Sequence, residues 1–253
     1  LEAEERLSVL EHQLFDKVRE EVAQQTHRLQ TLARHLAVLD VYATFAEISV
    51  QERYVRPVFA DDHTLEIVEG RHPVVEQMLP DGRFVANDTH MDEHSRIYLI
   101  TGPNMAGKST YMRQVALMAI MAQMGCFVPA TRARLPIFDQ VFTRIGASDD
   151  LASGQSTFMV EMNEIRLTTT QATKDSLVII DELGRGTSTE DGMAIARAVI
   201  EYVHDQIGCF AFVSTHYHEL ASLEGQLPGL KNVSMAVEET DTEVLFLRRL
   251  VEG

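Results

Sequence analysis

The sequence predicts an α/β protein with a largely parallel sheet flanked by helices and preceded by a long helical segment. Three observations carry that expectation. Residues 1–56 contain neither Gly nor Pro and repeat Leu and Val at helical spacing. From Pro57 onward, short apolar runs alternate with helical patterns. One of those runs leads straight into a glycine-rich loop that opens a helix.

In the first segment Leu7, Leu10, Leu14, Val18, Val22, Leu29, Leu32, Leu36 and Leu39 recur at three, four or seven residues, which predicts one long helix or two joined. A continuous helix of about 45 residues would reach on the order of 70 Å at about 1.5 Å per residue. That length suits a lever or coiled-coil arm, and a packed pair of helices stays open as the alternative. Residues 1–56 are therefore assigned to a helical connector and residues 57–253 to a separate domain.

In that domain, residues 64–68, 97–101, 141–145, 177–181, 210–215 and 244–247 read as short apolar strands. Residues 112–124, 158–172 and 193–207 are the clearest intervening helices. Strand and helix alternating in this way argue for parallel strands covered on both faces. There is no internal repeat and no low-complexity tract.

Composition narrows the classes. At 253 residues with 45% apolar content, the chain can bury a core. Its richest apolar run, Val115 to Met124, is broken by Gln123 and falls short of the roughly 18 residues of a membrane span. With no signal-peptide pattern at the start, a cytoplasmic setting without membrane contact is expected. The formal charge is −16, and the densest basic group is only Arg132 to Arg134, so this segment alone is expected to bind DNA poorly. Cys126 and Cys209 lack metal-ligand spacing and read as buried reduced thiols. Leu1 sits inside a helical pattern and Gly253 follows a strand-like run, so both ends read as cuts in a longer polypeptide.

The run Ile97 to Thr101 enters Gly102, Pro103, Asn104, Met105, Ala106, Gly107, Lys108, Ser109 and Thr110, which fits G-x-x-x-x-G-K-[ST] in its strand–loop–helix context. Gly102 and Gly107 permit backbone approaches that a Cβ would block, turning N–H groups and a helix N-terminus toward phosphate oxygens. Lys108 would neutralise β and γ phosphates, and the Ser109 hydroxyl is placed for Mg²⁺. A P-loop nucleotide site is the resulting expectation, against the plainer one of a glycine turn opening a helix.

Ser176 to Glu182 reads as a buried strand ending in two carboxylates. Ligands of such sheets gather at the carboxyl ends of the strands. Asp181 is the expected Mg²⁺ partner, through water, and Glu182 the expected general base toward an attacking water. A third strand ends in His216, whose imidazole would hydrogen-bond the γ-phosphate or orient the water, with His218 as a decoy. Alone, His216 would be an ordinary strand-end residue; three strand ends converging on one chemistry favour the functional reading.

Residues 146–162, GASDDLASGQSTFMVEM, closely resemble the signature segment of the MutS family. The loop from Thr101 to Thr110, the run from Asp181 to Thr189 and the run from Thr215 to Leu220 resemble that family too, so the likeness covers roughly residues 30–250. The resemblance implies an ABC-type ATPase domain using ATP and Mg²⁺ and yielding ADP. It also implies pairing with a second copy or a related subunit, with Ser156 of one copy reaching the γ-phosphate held by the other. A helix N-terminus at Ser156 would suit an anion, and simple N-capping is compatible with that role. The Gly184 to Thr189 loop matches the family loop that couples the two nucleotide sites. Residues 83–88 align with the family segment that stacks on adenine, so Phe84 and Val85 are carried over as base contacts. Gly70 to Glu76 also matches family text without a derived task.

By the same resemblance, the parent protein recognises mismatched duplex DNA through domains N-terminal to this region, and a MutL-type repair protein is the expected partner. Three other readings compete. A MutS-related ATPase outside mismatch repair would keep the loop elements, but Asn104-Met105 and residues 154–162 disfavour it. A transporter nucleotide-binding subunit would carry Leu-Ser-Gly-Gly-Gln where Ala152 to Ser156 stands. A non-hydrolysing scaffold predicts damage to Lys108, Asp181, Glu182 or His216, and all four are intact.

Overall fold

The helical period of the opening segment produces two helices, α1 (Glu2–Ala23) and α2 (Thr26–Gln51), joined by a turn at Gln24 and Gln25. In that turn Gln25 N–H donates to Val22 O at 2.9 Å and the Thr26 hydroxyl to Ala23 O at 2.7 Å, which closes the first helix without Gly or Pro. Their apolar residues, Leu7, Leu10, Leu14, Leu32 and Leu36 among them, are exposed. The structure, a computed structural model, describes residues 2–80, 84–103, 105–145, 157–184, 186–239 and 244–253. By internal contacts the chain forms two units, residues 1–51 and 52–253.

The second unit is built on a six-stranded sheet in the order β10-β9-β4-β8-β7-β6, where β4 is Ile97–Thr101, β6 Val141–Ile145, β7 Leu177–Asp181, β8 Phe210–Ser214, β9 Leu230–Glu239 and β10 Val244–Glu252. All neighbouring pairs are parallel except β9 with β10. The central strands are continuous apolar runs because both their faces are buried. Successive side chains point to opposite faces of a strand. Tyr98, Ile100, Ile179 and Phe212 therefore enter one core, while Leu99, Ile180, Ala211 and Val213 enter the other.

The first core is closed by α4 (Lys108–Gln123) and by a second sheet. That sheet has the order β1-β5-β2-β3, with β1 Val58–Phe59, β2 Leu65–Gly70, β3 Asn87–Met91 and β5 Arg132–Leu135. Tyr98 and Tyr111 meet Phe212 edge-on, with ring centroids 5.7 and 5.9 Å apart. The second core is closed by α5 (Thr157–Gln171) and α6 (Thr189–Tyr202). Beyond α6 the chain winds into a π-helical turn at Val203–Ile207 that ends on Gly208 in the left-handed conformation. A short helix α3 (Pro73–Met78) follows β2, with the His72 imidazole accepting from the N–H groups of Val74 and Val75.

Expected strand positions at 97–101, 141–145 and 177–181 match the observed bounds, and that at 210–215 ends one residue earlier. The run at 64–68 lies in the second sheet, of which the strand–helix alternation carries no sign. The run at 244–247 extends to Glu252 and pairs antiparallel. The basic group at Arg132 to Arg134 is spent within the fold: Arg132 pairs with Glu66 at 2.5 Å and Arg134 with Asp62 at 2.8 Å across the second sheet. Among the described residues no helix is long and apolar enough to cross a membrane.

Candidate functional site

β4 ends at Thr101 and the chain turns through Gly102, at φ 124°, and Met105, at φ 73°, before Gly107 caps α4 at φ 104°. A Cβ on Gly107 would meet nothing within 4 Å, so its requirement is conformational: the left-handed backbone at φ 104° turns the chain into the first turn of α4. The N–H groups of that turn and the helix dipole favour an anion there. Ala106 N–H donates to Pro103 O at 3.3 Å and tightens the turn; Ala106 is buried, whereas Pro103 and Met105 face solvent. Ser109 and Thr110 are half-buried on the first turn of α4. Asn104 lies outside the described residues, as does Ser156.

Lys108 is 4% exposed and its ammonium donates to Gly102 O. It also stands 3.8 Å from Glu182 Oε1. Removing an ammonium from water is costly unless it is paired and hydrogen-bonded, and the loop carbonyl and the carboxylate meet that need. Asp181, at the end of β7, is buried and its Oδ1 accepts from the Ser214 hydroxyl at 2.6 Å. The next residue, Glu182, has φ 57°, unusual for a residue with a Cβ. Two bonds fix it there, its N–H reaching Ser214 O at 3.2 Å and Ser214 Oγ at 3.1 Å. The strand ends of β7 and β8 thus hold the two acids through one serine.

His216 follows β8, is exposed, and lies against the Tyr217 ring at a centroid distance of 4.1 Å. Among the described contacts, His216 does not meet Lys108 or Glu182, and Ser109 does not meet Asp181. A cavity of ≈ 310 Å³ opens beside the loop, lined by Phe84, Val85, Met105, Gly107 and Thr110 together with Arg248 and others. Phe84 and Val85 thus share one cavity with the loop.

Several residues of the site were not foreseen. Asn87 is buried and clamps β3 to β10, donating to Arg248 O at 2.9 Å and accepting from Leu250 N–H at 2.7 Å, where the β9–β10 register shifts. That brings Arg248 to the cavity. Glu161, 1% exposed on α5, accepts from Gly184 N–H just after Glu182. Tyr217 donates its hydroxyl to Gly184 O at 3.2 Å from the other side. Glu161 stands within residues 146–162 and Asn87 within residues 83–88, both stretches that resemble the family, and neither carries a signal of its own beyond that.

The fold and this edge define an α/β protein organised around an anion-receptive loop, with a buried lysine and two carboxylates beside it. The chain belongs to the MutS family: the model of MutS domain V matches residues 98–253. Curated relatives named DNA mismatch repair protein MutS match along its entire length, among them those of Geobacillus kaustophilus at 59% identity over 253 residues and Bacillus subtilis (strain 168) at 56% over 253 residues. That of Pelotomaculum thermopropionicum is 56% identical over 254 residues. The chain spans only 28–29% of the length of these relatives.

Proposed function

We propose that residues 57–253 form a P-loop ATPase domain of ABC type and residues 1–56 a helical connector within a cytoplasmic DNA mismatch-repair protein. The observation that carries the reading is the meeting of Lys108 with Glu182 at 3.8 Å beneath a glycine-rich loop, beside a cavity lined by Phe84 and Val85. A nucleotide fits this arrangement in two places. The glycine-rich loop and the N-terminus of α4, which Gly107 caps without a side chain, suit phosphate, and the neighbouring cavity is partly apolar, as a base requires.

In this reading Gly102, Pro103, Asn104, Met105, Ala106 and Gly107 cradle the phosphates, with Lys108, Ser109 and Thr110 on the first turn of α4. Lys108 is held by Glu182 and Gly102 O here, so phosphate binding exchanges those partners for phosphate oxygens. Glu182 is then released to take a proton from water at its carboxylate, and His216 orients that water. The Ser109 hydroxyl and the Asp181 carboxylate are both hard oxygen donors and fit Mg²⁺, the latter through water. Mg²⁺ bound there supplies neutralisation of phosphate charge.

The domain pairs with a second copy or a related subunit, so that Ser156 completes the partner's site. Closure on ATP is passed through the N-terminal helices to a clamp on mismatched DNA, and a MutL-type protein reads the outcome. That the relatives are DNA mismatch repair proteins supports the repair assignment.

The test is steady-state ATP hydrolysis per chain over a wide range of protein concentration, with Lys108→Ala as the blank. Activity rising with concentration is expected from paired sites. Glu182→Gln should still bind ATP and hydrolyse it at least about tenfold more slowly. Unchanged turnover in Glu182→Gln would remove that residue from the role of base.

A further inference from the structure

We propose a second, anion-binding cleft at the opposite, amino-terminal edge of the central sheet, taking a small oxyanion, phosphate or carboxylate, on Arg96 and Lys174. Arg96 immediately precedes β4, Lys174 lies shortly before β7, and Ile207 and Gly208 precede β8, which Phe210 opens. With His63 and Glu93 they line a cavity of ≈ 270 Å³. That is near the lower end of the roughly 300–1,000 Å³ of ligand clefts, so the occupant is small.

The argument starts from Arg96. Its backbone is fixed, N–H to Gly229 O at 2.7 Å and carbonyl from Ala211 N–H at 2.9 Å. Its guanidinium is poorly used: Nη1 reaches Gly208 O at 3.4 Å, and the buried Nε has no partner. Among the described residues it forms no ion pair. A guanidinium carries five donors in a rigid fork suited to carboxylate and phosphate; with Nε closed off, a ligand in the cleft meets the outer edge of that fork. Lys174 beside it also lacks an ion pair among the described residues. Two cations in one concavity run against a chain with 22 basic and 38 acidic residues.

Two backbone features converge on the same cleft. His63 has φ 48°, left-handed for a residue with a Cβ, and its Nε2 stands 3.5 Å from Asp175 Oδ1. The π-helical turn Val203–Ile207 ends on Gly208, where a Cβ would come within 3.2 Å of Arg96 Nη1. Strained residues and π-turns concentrate at functional sites. Glu93 is the one acid of the lining, so a ligand that adds a hydroxyl or amine donor beside its oxyanion fits best.

The experiment is a site-resolved titration of the ¹⁵N-labelled chain with sodium phosphate and, separately, sodium succinate at constant ionic strength. Saturable shifts of the Gly208 and Lys174 amides are expected with at least one of them, and the anion that saturates identifies the class. Arg96→Gln should weaken that binding at least about tenfold, the worth of one hydrogen bond to a charged group, and Lys174→Ala should weaken it independently. Phosphate at the glycine-rich loop reports instead on Gly107 and Ser109, so the two sites stand or fall separately. Shifts at Gly208 and Lys174 that never saturate with either anion, or that keep the parent affinity in both variants, would overturn the proposal.

Discussion

Replacing Gly192 by alanine sets two effects of opposite sign against each other. Gly192 lies in the first turn of α6, where alanine is worth about 1 kcal/mol over glycine by helix propensity. A Cβ there, however, would stand 2.4 Å from Gly184 O and 2.4 Å from the Tyr217 hydroxyl. Neither can step aside cheaply. Gly184 is held at φ 89° with its N–H on Glu161, and Tyr217 is buried and bonded to that same carbonyl at 3.2 Å. Overpacking costs about 1–3 kcal/mol, and loss of the buried tyrosine bond about 1 more. Steric cost therefore exceeds propensity, and Gly192→Ala should destabilise the second unit by about 1–3 kcal/mol net. The chain has six tyrosines and no tryptophan, so urea unfolding is best followed by near-ultraviolet circular dichroism of tyrosine. The midpoint should fall with an unchanged slope. Gly225→Ala is the control: nothing lies within 4 Å of its Cβ, and the change should stay within about 0.5 kcal/mol of the parent or stabilise slightly. A Gly192→Ala chain as stable as the parent would refute the claim that α6 is locked against the Glu182 loop by backbone contact.

Phe84→Ala should weaken ADP binding by about 1–3 kcal/mol, the range for base–aromatic stacking, measured by calorimetric titration; an unchanged affinity would take Phe84 out of the base contact. A Ser156→Ala chain mixed with a Lys108→Ala chain should hydrolyse ATP faster than the sum of the two alone, because one intact composite site forms; strict additivity would argue for self-contained sites. Burial pushes the Cys209 thiol up to about 12 from 9.0. The folded state then keeps a proton that the unfolded state loses, so this contribution is whole below pH 9 and declines by about 1.4 kcal/mol per unit as pH rises toward 12. Cys209→Ala should flatten that part of the decline in urea midpoints measured across alkaline pH.

The strands that lead to the two acids and to His216 were legible because they are buried on both faces: Leu177 to Ile180 and Phe210 to Val213 are uninterrupted apolar text, and each ends in residues with obvious chemistry. The strands that escaped notice hide their burial in polar residues. β3 alternates buried and exposed positions, but its buried side chains are Asn87, Thr89 and Met91, so its period does not register as hydrophobic. Thr89 and Tyr111 satisfy one another at 2.8 Å, which is how a polar pair enters the core beneath Phe212. β5 is masked differently: Arg132 and Arg134 occupy its outer face, and they read as a basic cluster until Glu66 and Asp62 are seen across the sheet.

The candidate site divides along the same line. Recognition of phosphate needs backbone N–H groups and a lysine within one turn of chain, so its residues are contiguous from Gly102 to Thr110 and a short motif suffices to find them. An enclosing pocket for a base has no such economy, because its walls must come from several directions. Here they come from the chain after α3, from β3, from α4 and from β10, more than 150 residues apart along the sequence. Arg248 makes the point: it reaches the cavity because β10 bulges with Arg248 at φ 53°, and the bulge is held by Asn87 from 161 residues away. Neither residue type points to this role, since an asparagine opening a strand and an arginine in a hairpin are ordinary alone. What makes them part of the site is a pairing that exists only once β9 and β10 close the edge of the sheet. The position of Arg248 should therefore depend on Asn87 rather than on any group in the glycine-rich loop.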